Sequence, residues 1–232
     1  FNSEVYIPNY FCFGEEEIKL SKKWNLDIKN FYKCGSIRSS NYFHHLEENN
    51  IKIQKDKFDI CLISESAPGH NTRMGREFLE EGFGKLAKFT IDFCRENNKK
   101  LVFIPKCRVE GEEMNWELSI YKKNLNQIDY LYLMKSIKKK YSKPFYQYLA
   151  MFRSKVTVGV TSTMLGENLC QKNKVLSCNF TNINVFDFAV KNICSIKDCS
   201  YKEFKERLNL ILNMSEKQYF KKISKKKSNY LV

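Results

Sequence analysis

Thr161, Ser162 and Thr163 stand where the β-branched run KVTVGV (155–160) meets the helix-forming stretch MLGENLCQKN, and this juncture offers the most chemistry in the sequence. A helix start presents backbone N–H groups with no partner inside the helix, at the positive end of its dipole, which suits a phosphate oxygen. Ser162 and Thr163 would add hydroxyl donors there. Glu167, four residues after Thr163, shares a helix face with it, and a carboxylate at that place can accept the two hydroxyl donors of a ribose. The plainer alternative is that Ser162 or Thr163 only caps the helix while Glu167 balances the dipole or faces solvent.

Three further groups join this candidate site. Lys106 and Arg108 follow the apolar run LVFIPKCR (101–108), and an ammonium and a guanidinium fork there would engage phosphate oxygens, with ordinary surface cations as the alternative. Cys107 between them is expected to point into the core. The loop SESAPGHNTRMGRE supplies Glu65 and His70 as weak candidates for acid or base catalysis and Arg73 or Arg76 for phosphate, although a lone loop histidine is most often merely exposed. Gly69 in the same loop permits close backbone approach. Tyr141 and Ser142 stand ahead of the helix that precedes the key strand, where Tyr141 offers a ring for stacking. His44 and His45 lack a Cys or carboxylate pattern, so no metal site is expected. The chain carries no P-loop, no GxGxxG and no GxSxG.

These residues need a scaffold that brings strand ends together, and the apolar pattern supplies one. Short β-rich runs alternate with helical stretches, the order of a doubly wound parallel α/β sheet with a crevice at the carboxyl ends of its strands. FDICLIS (58–64), LVFIPKCR (101–108), YLYLM (130–134), KVTVGV (155–160) and KVLSCNF (174–180) read as five strands. Helices are expected over about 74–97, where Phe78, Leu79, Phe83, Leu86, Phe89, Ile91 and Phe93 recur at helical spacing, and over about 116–124, 143–153 and 201–214. The opening stretch, with a short helix near 15–24, looks like the closing elements of a preceding domain. The expected organisation is residues 1–43 as the end of a first lobe, 44–57 as a link, 58–200 as a Rossmann-like domain and 201–232 as a helix with a basic tail. The chain does not begin with Met and reads as part of a longer protein.

Composition bounds the partners. A net charge of +14 points to anionic ones: nucleotide phosphates, acidic lipid headgroups or nucleic acid. The abundant Lys accompanies abundant Asn and Ile, a residue bias that accounts for part of the excess without function. Nine cysteines, an odd set without CxxC spacing, read as reduced thiols of a cytoplasmic protein. The apolar runs are too short to span a bilayer.

The segment VTSTMLGENLCQKNKVLSCNF resembles the strand–turn–helix of the GT-B glycosyltransferases, in which an S-T pair opens a helix, a Glu follows one turn later, and G-K-x-V begins the next strand. Here Asn173 stands where a glycine often precedes the lysine, and it is expected to take the same left-handed turn. The order of elements from FDICLISES through REFLEEGFGKLAKFTIDFCRENNKKLVFIPKCR to SYKEFKERLNLILNMSEKQY is similar to that of bacterial surface and capsular carbohydrate transferases. CGSIRSSNYF resembles the junction where the first lobe of such enzymes hands the chain to the second.

The resemblance implies a GT-B C-terminal, donor-binding lobe preceded by the end of a truncated acceptor lobe. It implies transfer of a sugar from a nucleotide-sugar donor to a surface polysaccharide or lipid-linked glycan, with no separate cofactor and no metal. It assigns Ser162, Thr163, Lys106 and Arg108 to phosphate, Glu167 to ribose, and Tyr141 and Ser142 to the base, with Arg73 added to the phosphate set from its loop position. The basic tail KKISKKK would suit peripheral contact with an anionic membrane, or is a solvated helix end; no specific nucleic acid is expected. Two other readings remain: a non-catalytic Rossmann-like module for nucleic acid or acidic surfaces, and a sugar-nucleotide epimerase on the same lobe.

Overall fold

The computed structural model of the chain describes residues 6–65, 76–107, 111–137 and 145–223. The chain divides into two compact units, the first ending its main stretch at Ile51 and the second running from Lys52 to Ile223. The first unit runs β1 (Tyr6–Cys12), α1 (Glu15–Lys23), β2 (Asp27–Lys33) and α2 (Ile37–Glu48), and β1 and β2 pair in parallel. A parallel pair needs a crossover, and α1 provides it over the face that carries Tyr10, Cys12 and Phe31. The Tyr10 hydroxyl donates to Glu17 at 2.6 Å, and the Tyr10 and Phe31 rings meet edge to face at 6.0 Å. Ser36 caps α2 by accepting from the Ser39 N–H at 3.0 Å, and α2 carries the chain through His44 and His45, so the stretch expected as link begins as helix.

The second unit is an α/β sandwich of Rossmann-like type. Its five strands, β3 (Phe58–Ile63), β4 (Leu101–Ile104), β5 (Ser154–Gly159), β6 (Lys174–Asn179) and β7 (Ser195–Lys197), form one parallel sheet in the order β4-β3-β5-β6-β7. The near-continuous apolar runs follow from that position, because a parallel sheet is covered on both faces; every residue of β4 and β6 is buried. The strand order reverses between β3 and β5. Right-handed crossovers therefore place α3 (Arg76–Glu96), after β3, on one face and α7 (Thr163–Cys170), after β5, on the other.

The helix α3 joins the layers. Phe89 packs its ring against Phe180, and against Tyr201 and Phe204 of α8 (Tyr201–Asn213). Two glycines let α3 approach closely. A Cβ at Gly84 would lie 2.3 Å from the Cβ of Asn124, at the end of α4 (Glu112–Asn124), and one at Gly82 would meet the backbone of Phe180 at 3.0 Å. Asn98, with φ 50°, ends the helix where ENNKK predicts.

Two expectations are corrected. YLYLM is not a strand but the body of α5 (Gln127–Ser136). Asn126 caps it by accepting from the Asp129 N–H at 2.9 Å, and the buried Asp129 carboxylate takes Arg95 of α3, so capping and an ion pair override the aromatic β-propensity of the run. The fifth strand is β7, three residues too short to register as a strand pattern. The left-handed turn after α7 falls on Lys172, with φ 58°, not on Asn173, which is buried.

Lys174, at the foot of β6, is buried. Its ammonium donates to the carbonyls of Ile211, Leu212 and Met214 at 2.8, 3.1 and 2.8 Å, closing the carboxyl end of α8. Desolvation lowers its pKa. In α9 (Glu216–Ile223), Tyr219 accepts from the Val175 N–H and donates to the Val175 carbonyl, beyond the reach of the short β7.

Candidate functional site at the carboxyl ends of β3 and β5

The crevice of an open parallel sheet opens where the strand order reverses, outside the carboxyl ends of the strands. Here those ends are Ser64–Glu65 after β3 and Val160–Thr161 after β5. A carboxylate joins them: Glu65 accepts the Thr161 N–H at 2.9 Å. Burial pushes the Glu65 carboxyl from its ordinary 4.5 up to about 7, against the pull of the amides of Thr161, Ser162 and Val160 and of the Lys106 ammonium. At neutral pH this group is divided between its two protonation states, the condition that suits proton transfer.

One residue further, Ser162 is the N-cap of α7, its hydroxyl accepting from the Met164 N–H at 3.3 Å. The capping role considered from the sequence is thus present. Thr163, the first helical residue, is exposed, and Thr161, Ser162 and Met164 are half-buried, so the start of α7 is accessible. The same helix is enclosed one turn later. Glu167 is 5% exposed and accepts the hydroxyl of Tyr148, from α6 (Tyr146–Phe152), at 2.7 Å. The carboxylate at the strand ends is therefore Glu65, while Glu167 pins α7 to α6.

The third wall follows β4. The Lys106 ammonium reaches the Glu65 carbonyl at 3.4 Å, bringing the predicted cation to the same edge as the α7 start. Its backbone is held by a residue that sequence reasoning passed over. Glu117, on α4 and fully buried, accepts the N–H groups of Lys106 and Cys107, each at 2.9 Å. Desolvation raises the Glu117 pKa, opposed by the Ser64 hydroxyl and these two amides. Ser64 in turn accepts the Tyr121 hydroxyl at 2.7 Å. A relay from Tyr121 through Ser64 to Glu117 thus fixes the ends of β3 and β4 against α4. Cys107 is buried as expected, its thiol pushed up to about 12 by desolvation and by Glu117. On the far side, Ser177 of β6 donates to the Val160 carbonyl, locking the strand end that leads into α7.

Compared with known protein families, with curated proteins and with solved structures, the chain matches none.

Of the residues chosen from the sequence, the structure gathers Glu65, Lys106, Ser162 and Thr163 at the carboxyl ends of β3, β4 and β5 and encloses Glu167 against α6. His70, Arg73, Arg108, Tyr141 and Ser142 lie outside the described residues. Glu117 carries a signal in the sequence after all. It occupies the same helical stripe as Met114, Ile120 and Tyr121, so a carboxylate stands at a core position. A charge there requires partners, and the turn after β4 provides them. Among the described residues no cluster of three metal-ligating side chains occurs, and no helix is long and apolar enough to cross a membrane.

Proposed function

We propose that this chain carries the nucleotide-sugar-binding lobe of a GT-B-type glycosyltransferase. The observation that carries the reading is the accessible start of α7 at the reversal of strand order, with Lys106 and Glu65 beside it. In this account the donor's diphosphate lies against the α7 start, where the Thr163 N–H and the helix dipole face it. The Lys106 ammonium balances the charge that builds on the leaving nucleotide as the bond from the sugar to phosphate breaks and an acceptor hydroxyl takes its place.

Glu65 acts in its neutral form. A protonated carboxyl can donate to a phosphate oxygen, whereas the ionised group repels it and retains the amides for itself. Donor binding and turnover then decline as pH rises through about 7, the value at which Glu65 ionises. Glu167 is a strut: contact with a ribose would require it to exchange the Tyr148 hydroxyl. The acceptor is proposed to be a surface polysaccharide or lipid-linked glycan, on the resemblance of the STMLGE segment and the order of elements alone.

A thermal-shift screen with UDP-, GDP-, CMP- and dTDP-linked sugars tests the reading. A ligand at a hundredfold its Kd stabilises the fold by about 2.7 kcal/mol, several degrees of melting temperature. At least one donor is expected to raise the melting temperature, retaining its effect in moderate salt. A protein that ignores every nucleotide sugar yet binds nucleic acid in a steeply salt-dependent way would instead be a basic binding module.

A further inference from the structure

The first unit presents an apolar tip with lysines beside it in the chain. Leu20 is 41% exposed, Trp24 62% and Leu26 41%, and the neighbouring Lys19, Lys22 and Lys23 are all exposed. The tip is held in a fixed shape. Asn25, with φ 53°, takes the left-handed turn that ends α1, its N–H bonding the Lys22 carbonyl, while the Leu26 N–H bonds the Ser21 carbonyl, each at 3.1 Å. This paired arrangement folds the residue after the turn back toward the last helical turn, which carries Leu20. Three large side chains are thus held in water at the cost of their hydration, with no rearrangement needed to present them.

The local charge decides what the tip fits. Glu15 is engaged by Lys33 at 2.6 Å, and Glu17 is turned inward to the Tyr10 hydroxyl and the Phe13 N–H. Among the described side chains Asp27 is an exposed acid beside the tip, against the exposed Lys22, Lys23 and Lys29. An indole and two leucines amid lysines match a lipid interface, where the rings and chains enter the headgroup boundary and the ammonium groups meet anionic lipid. We infer that the end of α1, through Leu20, Trp24 and Leu26 with Lys19, Lys22 and Lys23, docks the protein on an anionic membrane surface. This inference is independent of the transferase reading and concerns a different part of the chain from the basic C-terminal stretch.

The chain has two tryptophans, so a Trp116→Phe background leaves Trp24 as the sole reporter. Vesicles of phosphatidylglycerol are expected to shift its emission to the blue and to expose it to a lipid-borne quencher, whereas phosphatidylcholine vesicles do neither. In sedimentation with phosphatidylglycerol vesicles, Trp24→Ala and the double variant Lys22→Glu/Lys23→Glu should each weaken partitioning about tenfold, with loss also in high salt. Lys221→Glu/Lys222→Glu serves as the control and should change binding far less. The inference is overturned if the protein ignores these vesicles, if only the control variant loses binding, or if Trp24 becomes shielded through self-association without lipid.

Discussion

Glu65 concentrates what the site can do in one carboxyl group. Its pKa is raised in the folded state, so between about pH 4.5 and 7 the native protein holds a proton that the unfolded chain has released. Stability contributed by this group is therefore present below about 4.5, falls as pH rises through that window, and levels off above 7. Glu65→Gln keeps an oxygen to accept the Thr161 N–H and removes the titration. Thermal denaturation from pH 5 to 8.5 should find the variant more stable than the parent at high pH and without that advantage at low pH. An offset that is constant across the range would show that Glu65 is not held largely neutral. The placement of Ser162, Thr163 and Lys106 at strand ends was legible in the sequence, because each follows an apolar, β-rich run. Glu117 stands out in the sequence only as a carboxylate on an apolar helical stripe; its partners are backbone amides, which exist only once the turn after β4 is formed.

At the scale of elements, the site depends on how tightly the helices are joined to the sheet. Tyr148→Phe removes a hydroxyl donor from the enclosed Glu167 carboxylate and should cost about 1–3 kcal/mol, read as a lower denaturant midpoint with an unchanged slope. A neutral result would mean that α6 and α7 are not coupled through that bond. Gly84→Ala sets two effects against each other. Alanine favours a helix over glycine by about 1 kcal/mol, but forcing a methyl into a packed contact costs about 1–3 kcal/mol. With the side chain of Asn124 at 2.3 Å the clash prevails, and the variant should melt lower than the parent; a higher melting temperature would show that α4 yields. The long α3 was readable because its apolar positions recur over many turns. α5 was misread because YLYLM is short and aromatic, and what makes it helical is Asn126 ahead of it and an ion pair to Arg95, remote in sequence.

At the scale of the molecule, the alternation of apolar runs and helices was enough to predict a parallel α/β sheet, and the sheet's order then determines where a ligand crevice opens. Pairing itself was not legible: which strands neighbour β3, and that β7 closes the edge, depend on contacts between residues far apart in the chain. Lys174 illustrates the same limit, because its three carbonyl partners come from the end of α8. The central claim, that a donor's phosphate meets the start of α7, can be tested there without disturbing this framework. Proline is favoured at the first position of a helix and lacks an N–H, and Ser162 already has the extended backbone, φ −57° and ψ 142°, that a following proline requires. Titration calorimetry with the nucleotide sugar that best stabilises the parent should show Thr163→Pro binding it at least about tenfold more weakly with its melting temperature preserved. Equal affinity for that donor in the two proteins would contradict the proposed site.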